Sequence, residues 1–215
     1  MRYIDFEKEL KDFKIISYPD IVKVDPSFDR RRLVEWQQKD FIQKIRKGYY
    51  SFKDIDVNEA LIYYTSNIIY KPSYISLQSA LSYYNFIPEA VYKITAISTR
   101  KTNSFDTPLG SYLYRNIKKN LFFGYVLINK RNHTIKMANS EKALLDMMYL
   151  NLMSSSAQIE GLRINTQMVR EQINFQRLNN YLVEHLGEEE ISLDLLITFP
   201  EDITKVIEED KIVEY

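Results

Sequence analysis

The sequence predicts an α+β protein in two parts, a small helical unit over residues 1–55 and a larger α/β domain over residues 56–215. Three observations predict it. Arg30 to Lys39 contains no Gly or Pro and sets Leu33 and Trp36 on one helical face. Directly after it, Phe41-Ile-Gln-Lys-Ile45 and Tyr49-Tyr-Ser-Phe52 flank Arg46-Lys47-Gly48, the pattern of a basic-tipped hairpin. Between Val91 and Ala138, a β-branched stretch over 91–99 and three further strand-like stretches alternate with turn residues, which predicts a mostly antiparallel sheet with a helical tail behind it.

Taken in order, Phe6, Leu10 and Phe13 recur at helical spacing and predict a first helix over residues 5–13. Ser17-Tyr-Pro-Asp20 has a capping Ser, a Pro tolerated in the first turn and an acid three residues on, so a second helix opens there. Asp25-Pro26 stops it and can start the next, with Asp as N-cap. Three helices and a hairpin in a span of about fifty residues match a winged helix-turn-helix, the third helix reading DNA beside the wing. Asp54-Ile-Asp56 is the boundary. A helix over residues 57–70 follows, with Asp56 as its cap, and residues 74–84 read as a second, buried through Leu77, Ala80, Leu81 and Tyr84. Strands are expected over 91–99, 111–117, 121–128 and 134–138, then a helix over 141–152 capped by Ser140, a loop at Ser154-Ser-Ser156 and one continuous helix over 165–186 ended by Gly187.

Charge is unevenly spread although the total is zero. Phe28 to Lys53 holds eight bases against three acids, a net of +5. Val91 to Met137 holds nine against one, or +8, and from Ala138 onward six bases face fifteen acids, or −9. On the third helix, Arg31, Arg32, Glu35, Gln38 and Lys39 gather opposite the apolar face. Arg can fork onto guanine edges and Gln can pair with adenine, so Arg31, Arg32, Gln38 and Lys39 are the expected base-edge or phosphate contacts. Arg30 lies nearer the apolar flank and is left out. In the hairpin, Lys44, Arg46 and Lys47 are expected on phosphates and Tyr49 against sugar or backbone. Arg100, Lys101, Lys118, Lys119, Lys130 and Arg131, at strand ends and turns, form an expected second basic surface, unless the acidic tail folds over them.

Other classes find little support. With no cysteine there is neither a disulfide nor a thiolate metal site. No apolar run approaches the roughly 20 residues of a membrane span, and the first residues lack a signal peptide's apolar core, so a cytoplasmic protein without membrane contact is expected. His133 and His185 belong to no metal-ligand spacing, no Gly-rich phosphate loop or nucleophile elbow occurs, and the basic strands carry almost no carboxylate. Neither catalysis nor a metal or cofactor is expected.

Three stretches carry a resemblance. Pro72-Ser-Tyr-Ile-Ser-Leu-Gln-Ser-Ala-Leu81, followed by Phe86-Ile-Pro-Glu89, resembles a signature of the AbiEi-type antitoxins of type IV toxin–antitoxin (abortive infection) systems. Ala138-Asn-Ser-Glu-Lys-Ala-Leu-Leu-Asp146 is similar to a second, and Ile45-Arg-Lys-Gly-Tyr-Tyr50 to the family's wing, in the expected order. The resemblance implies a winged helix-turn-helix that represses its own promoter and a C-terminal domain that counters a nucleotidyltransferase-like toxin. It also allows a stand-alone regulator with no toxin partner; a third possibility, from the residues themselves, is a protein-interaction module. Where the family commonly has a basic residue and Gly before the wing, this chain has Lys39-Asp40, and Asp40 there either weakens phosphate contact or caps the turn. Tyr74, Ser76, Ser79 and Ala80 are read as packing and capping residues. Glu141, Lys142 and Asp146 open a helix whose dipole favours early acids, or else form a partner-binding edge.

Overall fold

The structure, a computed structural model, describes residues 1–152 and 163–186. Its first six elements are α1 (Tyr3–Leu10), β1 (Ile16–Ser17), α2 (Tyr18–Val24), α3 (Arg31–Gln38), β2 (Ile42–Arg46) and β3 (Tyr49–Phe52). The strands form a small antiparallel sheet ordered β1-β3-β2. Apolar spacing builds its core: Phe6 and Leu10 from α1, Ile21 from α2, Leu33 and Trp36 from α3, and Ile42 and Phe52 from the hairpin. The Trp36 ring sits 4.7 Å from Phe6 and 5.6 Å from Phe28, so one side chain joins the first helix, the third and the loop between α2 and α3.

Capping explains two boundaries here. Ser17 and Asp20 form the expected reciprocal cap of α2. Asp25 does not start the third helix. It accepts from the Ser27 N–H at 3.0 Å and pairs with the Met1 ammonium at 3.0 Å, and α3 begins only at Arg31, whose N–H reaches Asp29 Oδ1 at 2.9 Å. α1 ends at Leu10, leaving Phe13 exposed.

The second part continues with α4 (Glu59–Ile69), β4 (Ser73–Ile75), α5 (Leu77–Tyr83), β5 (Lys93–Ser98), β6 (Asn103–Thr107), β7 (Gly110–Asn116), β8 (Tyr125–Lys130), β9 (His133–Ala138), α6 (Ser140–Leu152), α7 (Thr166–Gln172) and α8 (Phe175–Leu186). Its sheet is ordered β6-β7-β5-β4-β9-β8. Three ladders are antiparallel, whereas β4–β9 and β5–β7 are parallel. Alternation sends Tyr112 and Tyr114 toward α4, where the Tyr114 hydroxyl donates to the Ser66 carbonyl, and sends Tyr74 toward α6.

Several expectations change. Residues 73–75 are a central strand, not the start of a helix, and this places the Tyr74 hydroxyl on Asp146 of α6. β6 was not expected, because Asn103-Ser-Phe-Asp-Thr107 is polar, as suits an edge strand. α4 is capped by Asn58 rather than Asp56, and α6 by Asn139, whose Oδ1 accepts from the Lys142 N–H at 2.8 Å. The expected helix over 165–186 breaks at Ile173-Asn174, where Ile173 is buried and Asn174 caps α8 through the Arg177 N–H at 2.8 Å. The Ser154-Ser-Ser156 loop and everything from Gly187 onward lie outside the described residues. Among those described, no helix is long and apolar enough to cross a membrane.

The two signature stretches meet at one buried carboxylate. Asp146 has no exposed surface; its Oδ2 accepts from the Ser76 hydroxyl at 2.7 Å and the Tyr74 hydroxyl at 2.9 Å, and its Oδ1 accepts from the Lys142 ammonium. Lys142 is equally buried, with its ammonium 4.6 Å from the Phe123 ring. Its stem lies on Gly124, where a Cβ would stand 2.9 Å from Lys142 Cγ, so only glycine fits. Glu141 accepts from the Asn174 N–H at 2.8 Å and binds α8. These acids are structural ties in the interior, and the expected partner-binding edge is not there. Burial raises the Asp146 pKa, while the Lys142 charge and the hydrogen bonds hold it down.

Removing one member of such a pair strands the other. Lys142→Met is expected to cost about 3–5 kcal/mol in urea unfolding, and the double variant Lys142→Met with Asp146→Leu to recover much of it. In Lys142→Met the folded Asp146 pKa rises further above its unfolded value of about 3.9. Stability should then be full below that pH and fall as pH rises through the folded value, which unfolding curves across pH will check.

Candidate nucleic-acid interface

The amphipathic pattern that buries Leu33 and Trp36 necessarily turns the rest of α3 outward. Arg31, Gln38 and Lys39 are exposed and Arg32 is half-buried, with Lys39 paired to Glu35 at 2.6 Å. The hairpin packs beside the helix, and between them lies a groove of about 940 Å³ lined by Tyr18, Arg30, Val34, Gln38, Lys44, Lys47 and Tyr50. A second hollow of about 530 Å³ on the helix's other flank is lined by Asp29, Arg31, Arg32, Glu35 and Gln38. Gln38 and Val34 line both, which places them on the outward crest of α3.

The hairpin is held at both ends. Its two-residue turn, Lys47-Gly48, has Gly48 at φ +84°, and the Gly48 carbonyl accepts from the Tyr18 N–H at 2.8 Å. At the entrance Asp40 takes φ +55° and pairs with Lys53 at 3.1 Å. Asp is among the few side chains that tolerate this conformation, so Asp40 acts as the turn residue between α3 and β2.

Two expected contacts point elsewhere. In a regular strand Lys44 and Arg46 would share a face, but the β2–β3 register shifts between them. Lys44 therefore faces the groove while the Arg46 guanidinium turns to the second part of the protein. There it donates to the Ile69 carbonyl and lies 4.1 Å from the Phe105 ring centre and 5.2 Å from that of Tyr70. Tyr49 likewise packs on the cluster around Ile69 and Tyr114, and it is Tyr50 that faces the groove. Arg30, passed over in the sequence, also lines the groove, its guanidinium 3.9 Å from the Tyr18 ring centre. The spacing Arg30, Val34, Gln38 is the signal that could have found it.

The second basic set shares one end of the large sheet. β5 and β7 run parallel, so Arg100 and Lys101 leave the sheet beside Lys118 and Lys119. β4 begins opposite Ser98 and runs parallel to β9, which brings the β8–β9 turn, with Lys130 and Arg131, to that end too. Lys101, Lys118, Lys119 and Arg131 are exposed; Lys130 pairs with Glu59 at 2.5 Å and Arg100 lies over Tyr70 at 4.5 Å. Of the acids after Ala138, Glu141 and Asp146 are in the interior, and most of the others, in the acidic tail, lie outside the described residues. His133 is buried and stacked on Tyr64 at 4.9 Å, with its pKa lowered by desolvation and by Lys14, and His185 stacks on Phe123 at 3.5 Å.

A Cβ at Gly48 meets nothing within 4 Å, so backbone strain alone penalises substitution there. Gly48→Ala should cost about 1 kcal/mol and Gly48→Val more, measured by urea unfolding followed at the single tryptophan, Trp36.

The chain matches no protein-family model and no curated protein.

Proposed function

We propose that this protein is a DNA-binding transcriptional regulator whose amino-terminal unit is a winged helix-turn-helix, with α3 as recognition helix and β2–β3 as wing. The observation that carries the reading is the groove in which Arg30, Gln38, Lys44, Lys47 and Tyr50 converge from two elements. Guanidinium and amide groups on an exposed helix crest supply the donors and acceptors that base edges require. Lysines on an adjoining hairpin supply phosphate contacts that fix register. Arg46 and Tyr49 drop out of the contact set and Arg30 and Tyr50 enter it. The basic sheet end, with Lys101, Lys118, Lys119 and Arg131 exposed, lies on the same molecule as a further electrostatic surface for duplex DNA.

The more specific reading is an AbiEi-type antitoxin, cytoplasmic, that represses its own promoter and counters a nucleotidyltransferase-like toxin. Support for it comes from the order of the resembling stretches and from their convergence on Asp146, which gives both signatures one physical task. A stand-alone regulator is the second reading. The gene next door and a co-expression assay separate them: rescue of growth from a neighbouring toxin supports the antitoxin, and the absence of such a toxin favours the regulator. Binding, not catalysis, is the activity proposed.

A gel-shift titration against the protein's own upstream region tests the common core. Gln38→Ala or Arg31→Ala should cost about 1–3 kcal/mol on the cognate duplex and less on random DNA; equal losses would remove the base-reading role. Lys47→Ala should weaken all duplexes alike and reduce the slope of log affinity against log salt by about one, and an unchanged slope would contradict its place on a phosphate.

A further inference from the structure

Arg46 belongs to the hairpin by sequence and to the α/β part by contact. Its guanidinium donates to the carbonyl of Ile69, in the last turn of α4, where helix carbonyls lack partners of their own. The same group covers the Phe105 ring of edge strand β6 and reaches Tyr70, the ring that also carries Arg100. Tyr70 is itself fixed, its hydroxyl donating to the Lys101 carbonyl at 2.7 Å. Arg46 lies one residue from the turn that presents Lys47 to the groove. A planar cation can stack and donate at once, which a lysine cannot do as well.

We propose that Arg46 is a positioning residue: it clamps the hairpin onto α4 and β6, so that the α/β part sets the angle at which Lys44 and Lys47 meet a duplex. This rests on the DNA-binding reading of the groove. The sequence alone assigned this arginine to phosphate; its geometry assigns it to coupling between the two parts.

The test uses the full chain, which has no cysteine of its own, with spin labels at Glu7→Cys and Asn120→Cys, both exposed positions. Pulsed electron paramagnetic resonance should give a narrow label-to-label distance that broadens in Arg46→Ala and in Phe105→Ala. Arg46→Lys, which keeps a cation for folding, should broaden it less. In parallel, Arg46→Ala and Phe105→Ala should each lose about tenfold in affinity for the upstream duplex with the salt slope unchanged. A lower slope in Arg46→Ala with no loss in Phe105→Ala would make Arg46 a phosphate contact and overturn the clamp. Distances unchanged in all three variants would also overturn it. If the unaltered chain binds no duplex, the DNA reading fails, while the distances still decide whether Arg46 holds the two parts together.

Discussion

A carboxylate removed entirely from water, Asp146, imposes the tightest condition on this structure. An unpaired charge in such a place would cost several kcal/mol, so the chain must bring donors to it. It brings three, the Tyr74 and Ser76 hydroxyls from around the central strand β4 and the Lys142 ammonium from the same turn of α6. Satisfying one side chain therefore fixes a strand against a helix across the interior. Gly124 follows from it, because the Lys142 stem leaves no space for a side chain in the chain that leads to β8. A buried pair of this kind specifies an arrangement more than it stabilises one.

The order set there is passed outward. β4 is in the middle of the large sheet, and the short segment before it leads back to the end of α4, where Ile69 and Tyr70 stand. On that corner the hairpin rests, through Ile45, Tyr49 and the Arg46 guanidinium. The groove thus has one wall, α3, held by the small core around Trp36 and another, the hairpin, held by both cores. Such shared support keeps a binding surface preorganised, which reduces the ordering cost of association.

Much of this was legible in the residues. The Ser17–Asp20 cap, the Leu33–Trp36 face, the Gly48 turn, the β-branched run of β5 and the alternating burial of β7 and β9 each follow from local rules, and the structure has them. What was not legible depends on tertiary pairing. Ser73-Tyr-Ile75 is a strand that sets the Tyr74 hydroxyl on Asp146, and nothing local announces that. A one-residue shift in the hairpin ladder reverses the roles of Arg46, Tyr49 and Tyr50, and sequence spacing cannot reveal a bulge. The parallel runs of β5 with β7 and of β4 with β9 likewise decide that the scattered lysines gather at one end of the sheet.

The central claim is that the α3–hairpin groove reads duplex DNA. Hydroxyl-radical footprinting of the full chain, with and without a duplex from its own upstream region, addresses it side chain by side chain. The account predicts protection of Tyr18, Val34 and Tyr50, which line the groove, with Tyr92, 93% exposed and absent from that lining, unchanged. Unaltered reactivity of all three groove residues at a duplex concentration that saturates binding would contradict it.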